Sequence, residues 1–188
     1  MGRIGTSLIG TAALLVCVTQ VAAAQGRARQ DQGPWFSIGV GYSMADFDCT
    51  NCGRTSREDN IGGQIAAGGT LSDHLLLGIE GDGWIKTKSG VRSEFAAVTA
   101  AAYFYPSVSA NFFLKAGAGL AQYRFSNGGS EGDTGLGLMG GAGYDLRIGG
   151  ILSITPVATF NYGSMGDKSG AKGVTINWVT LGATFTFR

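Results

Sequence analysis

The sequence predicts an all-β protein: an eight-stranded antiparallel up-and-down transmembrane β-barrel preceded by a signal peptide. Three observations support this fold class. Most of the chain after residue 34 alternates between apolar and small or polar residues with a period of two, the period of a strand with two different faces. Glycine is unusually abundant, at 33 of 188 residues, against a usual share of about 7%. The connections between the predicted strands alternate between long and short, as in barrels that cross a membrane.

The first 24 residues have the pattern of a signal peptide. A short basic region precedes an uncharged, largely apolar stretch from Leu8 to Val21. A run of small residues follows this stretch and ends at Ala24, which predicts cleavage between Ala24 and Gln25. We favour a cleaved signal over an uncleaved anchor, because a spanning helix needs about 20 apolar residues. Residues 25–33 are predicted to form a polar leader, and residues 34–188 to form the barrel.

Eight segments carry the alternating pattern. It is clearest in Thr175–Phe187, where one parity is apolar or aromatic and the other is mostly threonine and glycine. Between Asn111 and Phe125 the pattern changes phase after Leu120, which predicts a β-bulge. Each segment can supply the roughly 9–11 residues with which a tilted strand crosses a bilayer. The predicted strands are 35–43, 61–71, 75–85, 94–105, 111–125, 136–146, 152–163 and 175–187.

The predicted connections differ in length on the two ends of the barrel. Both termini and the short connections lie at one end, so the number of strands must be even. The short connections are 72–74, 106–110 and 147–150. The long connections, predicted to be surface loops, are 44–60, 86–93, 126–134 and 164–173.

The alternation alone does not say which parity faces inward. A soluble barrel turns its apolar parity inward, whereas a membrane barrel turns it outward to lipid. The glycines and the few charged strand residues share the less apolar parity, which suits the narrow lumen of an eight-stranded membrane barrel. Aromatic residues cluster near strand ends, as in interfacial girdles. The girdle candidates are Trp35, Phe36, Tyr42, Trp84, Tyr103, Phe104, Tyr105, Phe112, Tyr123, Phe125, Tyr162, Trp178, Phe185 and Phe187.

Charged residues on the inner parity are candidate lumen residues. Glu80, Asp82, Lys115 and Asp145 are predicted to project inward, with Arg124 as a fifth candidate. One interpretation is an interior ion-pair network, because charges in a narrow lumen need partners. The alternative is a small ion-conducting path lined by these groups. We favour the network, since side chains normally fill a lumen of this size.

Two cysteines, Cys49 and Cys52, fall in the first predicted loop. In an oxidising compartment a disulfide is the expected state, with free thiols or a metal site as alternatives. Zinc would require two further ligands, and His74, the only histidine of the chain, is predicted at the opposite end of the barrel. The sequence therefore predicts no metal and no cofactor.

The residues of Ser72–His74 are Ser, Asp and His, the types found in a hydrolase triad. Adjacent residues in a tight turn cannot adopt the mutual geometry of a triad, so a turn is the better interpretation and no enzyme activity is predicted. The chain carries 14 Lys and Arg against 13 Asp and Glu. This balance gives no electrostatic reason to expect a nucleic-acid partner.

The sequence resembles the small outer-membrane β-barrels of the OmpA/OmpX type. The resemblance is carried by Gly-Ala-Gly-Tyr-Asp-Leu at 141–146, Leu-Ser-Ile-Thr-Pro-Val at 152–157 and the terminal strand. It implies the outer membrane of a Gram-negative-type bacterium, contact with outer-membrane lipid, and insertion by the barrel-assembly machinery. That machinery reads an aromatic strand end, which Phe185 and Phe187 provide, although Arg188 follows them.

Three functions are compatible with this sequence. The first is a structural or surface-interaction role through the extracellular loops, with a partner that the sequence does not identify. The alternative is a narrow channel or a carrier for a small or hydrophobic solute. The third and least favoured is a lipid A-modifying enzyme. Such barrels use a Ser/His pair near the outer leaflet, and the lone histidine here is predicted at the other end.

Overall fold

The computed structural model describes residues 33–49, 57–107, 109–126, 130–168 and 171–188. Within these ranges the chain is almost entirely strand. No helix in the described part of the chain is long and apolar enough to cross a bilayer. The predicted signal peptide, its cleavage site between Ala24 and Gln25, and all but the last residue of the leader lie outside the described residues.

Eight strands form one sheet in which each strand pairs antiparallel with the next. Strands β1 and β8 also pair, from Phe36 opposite Phe187 to Asp48 opposite Thr175, and this pairing closes the barrel. The predicted eight-stranded antiparallel up-and-down barrel is confirmed. The strands are β1 Pro34–Asp48, β2 Glu58–Ser72, β3 Leu75–Lys88, β4 Val91–Phe104, β5 Phe112–Ser126, β6 Ser130–Tyr144 with its continuation Leu146–Arg147, β7 Leu152–Lys168 and β8 Ala171–Phe187.

The end of the barrel away from the termini, which we call the outer end, has longer strands than the sequence predicted. Strand β3 continues to Lys88 and β4 begins at Val91, so the predicted long loop 86–93 is a two-residue hairpin turn. Ser89 and Gly90 both have positive φ, at 51° and 81°. This is the type I′ geometry that matches the twist of antiparallel strands.

The predicted surface loops 126–134 and 164–173 are also mostly strand, and 44–60 is strand at both of its ends. The bounds of β5 to β8 reach far into 126–134 and 164–173, and β1 and β2 shorten 44–60 from both sides. Polar residues suggested loops in these segments. Where these segments are described, the sheet continues beyond the apolar band and the backbone ladder still forms. The expected division into long and short connections is therefore wrong, although the fold that it supported is correct.

Strand β5 contains no bulge, contrary to the prediction. Its register with β4 is continuous from Ser126 to Leu114. Tyr123 and Phe125 face the lumen, whereas Arg124 between them is exposed, so its predicted inward position is also wrong. The apparent change of phase marks the point where the strand leaves the apolar band. Beyond this point the sheet has the residue distribution of a barrel in water, with polar residues outside and apolar residues inside.

Large apolar side chains form a band around the outside of the barrel, and polar side chains fill much of the inside. Val40 is 66% exposed, whereas the inward-facing Lys115 is only 5% exposed. This distribution is the inverse of a water-soluble barrel and fits a sheet surrounded by lipid. The exposed band includes Phe36, Ile38, Val40, Tyr42, Ile61, Ile65, Leu77, Ile79, Val98, Leu114, Leu120, Leu136, Leu138, Phe160, Leu181 and Phe185.

Half of the predicted girdle aromatics face the lumen and not the bilayer interface. They pack in two apolar layers, one near the termini and one near the outer end. Their position near strand ends predicted a girdle, but that position does not report which face of the strand they lie on. The inward-facing members are Trp35, Trp84, Tyr103, Tyr105, Tyr123, Phe125 and Trp178.

Glycine is required where the barrel closes. Gly41 of β1 lies directly opposite Gly182 of β8. A Cβ atom on Gly41 would lie 2.9 Å from the Cα of Gly182, and a Cβ on Gly182 would lie 2.7 Å from the Cα of Gly41. The two backbones are therefore too close for any side chain on the lumen side. At Gly140, by contrast, there is space for a side chain, because a Cβ there would meet no atom within 4 Å.

Candidate functional site

The centre of the lumen contains a buried polar network built around Glu80. Lys115 forms an ion pair with one carboxylate oxygen of Glu80, and the Tyr103 hydroxyl donates a hydrogen bond to the other. The Lys115 and Glu80 side chains are each 1% exposed. The structure therefore brings these two predicted lumen residues into direct contact. Tyr103, which the sequence analysis placed in a girdle, is the third member of the network.

Gln64 extends this network across the lumen. Its amide nitrogen donates to Glu80 at 2.5 Å and to Asp82 at 3.0 Å. It also lies 3.1 Å from the hydroxyl of Thr159 on β7, on the far side of the barrel from β2. Gln64 was not a predicted site residue, because an uncharged residue on the inner parity gave no signal. Its partners Glu80 and Asp82 become visible only from the register of β2 against β3.

Asp145 belongs to a second network, at the end of the barrel where the termini lie. Its carboxylate accepts hydrogen bonds from Tyr105 and Thr155, each at 2.8 Å. Arg188 donates one guanidinium hydrogen bond to Asp145 and another to the hydroxyl of Tyr105, both at 2.8 Å. Asp145 therefore faces the lumen, but it has different partners from Glu80, Asp82 and Lys115.

Arg188 is the residue of this network that the sequence analysis missed. It appeared only as a departure from an aromatic chain end, yet it continues the inner parity of Thr184 and Thr186. Burial acts to lower the pKa of Arg188, but the Asp145 carboxylate and the Tyr105 phenol outweigh it and raise the pKa above its ordinary value. Arg188 is therefore a permanent cation that neutralises Asp145.

Replacing Arg188 with alanine is expected to lower the free energy of unfolding by about 2 kcal/mol, the scale of a hydrogen bond to a charged group. The loss is moderate because Asp145 keeps its bonds from Tyr105 and Thr155. Denaturant unfolding in lipid vesicles measures it, with Lys88→Ala at the exposed outer turn as the control. Equal stabilities of the two variants would show that the network does not stabilise the barrel.

Little space remains in the lumen between the two networks. The space between them is a cavity of about 30 Å³, enough for about two water molecules at roughly 10–15 Å³ each. Toward the outer end, a layer of large side chains seals the barrel. The members of this seal, each no more than 1% exposed, are Trp84, Val174, Ile176 and Trp178.

The same closed barrel occurs in solved structures of small outer-membrane proteins. Neisserial surface protein A is 19% identical, with a TM-score of 0.54 over 81% of this chain and 96% of that chain. Ail of Yersinia pestis, in complex with the heparin analogue sucrose octasulfate, is 18% identical, with a TM-score of 0.52 over 82% of this chain and 99% of that chain. This chain has the fold of the small outer-membrane β-barrels. No protein-family model and no curated protein matches its sequence.

In the Ser72–His74 segment of the barrel, Ser72 ends β2, and Asp73 and His74 form the turn to β3. The Ser72 hydroxyl accepts a hydrogen bond from the backbone nitrogen of His74, not from its ring. The imidazole Nδ1 instead lies 2.7 Å from the carbonyl oxygen of Tyr105, and the ring stacks on Phe104. Serine and imidazole are thus not arranged as nucleophile and base.

Cys49 lies at the end of β1, is 8% exposed and is disulfide-bonded. Cys52 lies outside the described residues, so the pairing of Cys49 with Cys52 stays a prediction. Within the described ranges, no group of three or more His, Cys, Asp or Glu side chains could hold a metal ion.

Phe185 and Phe187 lie on the lipid-facing side of β8, 49% and 40% exposed. Phe187 is near Phe36 of β1, with the ring centroids 6.5 Å apart. The two phenylalanines therefore contribute to the outer surface at the barrel seam. Their use as an assembly signal stays a prediction.

Proposed function

We propose that this chain is a non-conducting barrel of the outer membrane of a Gram-negative-type bacterium, and that its outer end contacts a partner outside the cell. The single observation that carries the proposal is the filled lumen. Two buried polar networks and the seal around Trp84 and Trp178 occupy the described part of the lumen between its two ends. The barrel then serves as an anchor, and the exposed sheet above the lipid band is the surface available to a partner.

The proposed biogenesis follows from the same features. A signal peptide that is removed after Ala24 would direct the chain to the periplasm. The lipid-facing band and the aromatic end at Phe185 and Phe187 support insertion into outer-membrane lipid by the barrel-assembly machinery. The turn geometry of Ser72 and His74 supports a role without catalysis.

The charge of the outer end bears on the kind of partner. Basic and acidic side chains are interspersed there, and several are paired. Arg57 lies 3.5 Å from Asp46, and Arg92 pairs with Glu94. Ail was solved with a sulfated ligand, which is anionic. The mixed charge here favours a partner recognised through hydrogen bonds and shape over a polyanion.

Conductance in a planar bilayer tests the closed lumen. We expect the refolded barrel to insert without discrete current steps, because the buried networks and the seal must both open before ions can pass. Heat-modifiable gel migration of the same sample establishes that the barrel is folded. Reproducible discrete steps from folded protein would overturn the proposal and favour the narrow-channel alternative.

Labelling of intact cells tests which end faces outward. With a membrane-impermeant maleimide, we expect Ser89→Cys in the outer turn to react on intact cells. Asp73→Cys, in the turn at the opposite end, should react only after the outer membrane is permeabilised. The parent chain corrects for any reaction of its own cysteines. Reaction of Asp73→Cys on intact cells would contradict the proposed orientation.

A further inference from the structure

The outer end of the barrel contains a pocket that the closed-lumen role does not use. It lies above the seal, next to the contact between Trp84 and Phe95, whose ring centroids are 5.0 Å apart. Its volume is about 260 Å³. We call this pocket the vestibule. It is lined by Ala45, Phe47, Glu58, Val91, Ser93, Phe95 and Phe125, from strands β1, β2, β4 and β5.

Three of the seven residues that line the vestibule are phenylalanines. The rings of Phe47 and Phe95 stand nearly perpendicular to the ring of Phe125, at 84° and 85°. Their centroids lie 5.6 and 5.9 Å from the Phe125 centroid. The vestibule therefore presents aromatic surface in more than one orientation. Such surfaces attract cations through the negative charge above each ring face.

Glu58 adds a carboxylate to this aromatic wall. It pairs with Ala45 in the β1–β2 register, so both side chains point to the lumen side of the sheet. No described residue forms a hydrogen bond or an ion pair with the Glu58 carboxylate. The nearby carboxylates of Asp46 and Glu94 do have cationic partners, Arg57 and Arg92 respectively. Glu58 is therefore a half-buried negative charge that lines an aromatic pocket and has no cation from the described chain.

We propose that the vestibule binds a small organic cation, an ammonium group that carries methyl groups or a similar apolar body. The rings would contact the methylated ammonium, and the Glu58 carboxylate would balance its charge. A neutral apolar molecule would bury Glu58 without pairing it, which is costly. A bare metal ion would leave the aromatic wall without a partner. This ligand class goes beyond the proposed anchoring role and does not depend on it.

The test compares choline with 3,3-dimethylbutan-1-ol, a neutral molecule of nearly the same shape. Binding to the full barrel in a maltoside detergent is measured by NMR shifts or calorimetry, because detergents with a choline headgroup would compete. We expect choline to bind roughly fivefold more tightly than the alcohol, within the range of a cation–π contribution. Equal affinities, or no saturable binding of choline, would overturn the proposal.

Two variants separate the carboxylate from the rings. Glu58→Gln should weaken choline binding roughly fivefold without weakening that of the alcohol, whereas Phe125→Leu should weaken choline by a similar factor. Arg124→Ala, an exposed neighbour on the outer face of β5, is the matched control and should bind as the parent does. Heat-modifiable migration establishes that each variant is folded. Unchanged choline affinity in folded Glu58→Gln would refute the site.

Discussion

Replacing Lys115 with methionine is expected to lower the free energy of unfolding by about 3–5 kcal/mol, the usual cost of removing one partner from a buried ion pair. Lys115 and Glu80 are both almost fully buried. Without the ammonium group, the Glu80 carboxylate would keep only its bonds from Tyr103 and Gln64, with Asp82 also bonded to the same Gln64 amide. Denaturant unfolding in lipid vesicles measures the change.

The double variant Glu80→Gln/Lys115→Met is the control for this prediction. It removes both charges at nearly constant volume, so we expect it to recover most of the stability that the single variant loses. Recovery would show that the cost comes from an uncompensated charge and not from a packing defect at residue 115. A single variant as stable as the parent, or a double variant no better than Lys115→Met, would contradict the ion-pair account.

Replacing Val40 with arginine is expected to lower the free energy of unfolding in a bilayer by about 2–4 kcal/mol, the cost of a cationic side chain at the midplane of a lipid-facing strand. Val40 is 66% exposed and lies between Ile38 and Tyr42 on the outer face of β1. If that face contacts lipid, the guanidinium must leave water when the strand inserts.

Thr87→Arg provides the matched control for Val40→Arg. Thr87 is also exposed, but it lies beside the outer turn of β3 and β4, above the apolar band. Its replacement should change the stability by less than about 0.5 kcal/mol, as surface substitutions usually do. If Val40→Arg costs no more than Thr87→Arg, the exposed apolar band is not in contact with lipid.

The lipid-facing parity could be predicted from sequence because the period of two records it directly. Val179, Leu181, Phe185 and Phe187 alternate with threonine and glycine, and the structure places them outside. The alternation does not report where a strand leaves the bilayer. At that point water replaces lipid around the barrel, so polar residues face outward and apolar residues face the lumen. Tyr123 and Phe125 therefore point inward while the strand stays regular. This inversion produced the false bulge and the overlong loops.

The partners of the lumen residues could not be predicted from parity. Parity predicts that Glu80, Lys115 and Asp145 face inward. Which of these side chains touch depends on the stagger between strands that are not adjacent in sequence. The register joins Lys115 to Glu80 across β4 and Arg188 to Asp145 across β7. Tyr103 was misplaced for a related reason. Its apolar ring matched a girdle, whereas its hydroxyl is satisfied inside the lumen.

A lipid-soluble carbene photolabel tests the central claim most directly, because it uses the parent chain in a bilayer and reports which side chains touch lipid. Phe112 and Phe113 are adjacent in sequence, 40% and 4% exposed. With residue-level mass spectrometry, we expect label on Phe112 and Phe185, and protection of Phe113 and Trp178 in the lumen. Label on Phe113 and Trp178 with protection of Phe112 and Phe185 would contradict a lipid-facing apolar band around a filled lumen.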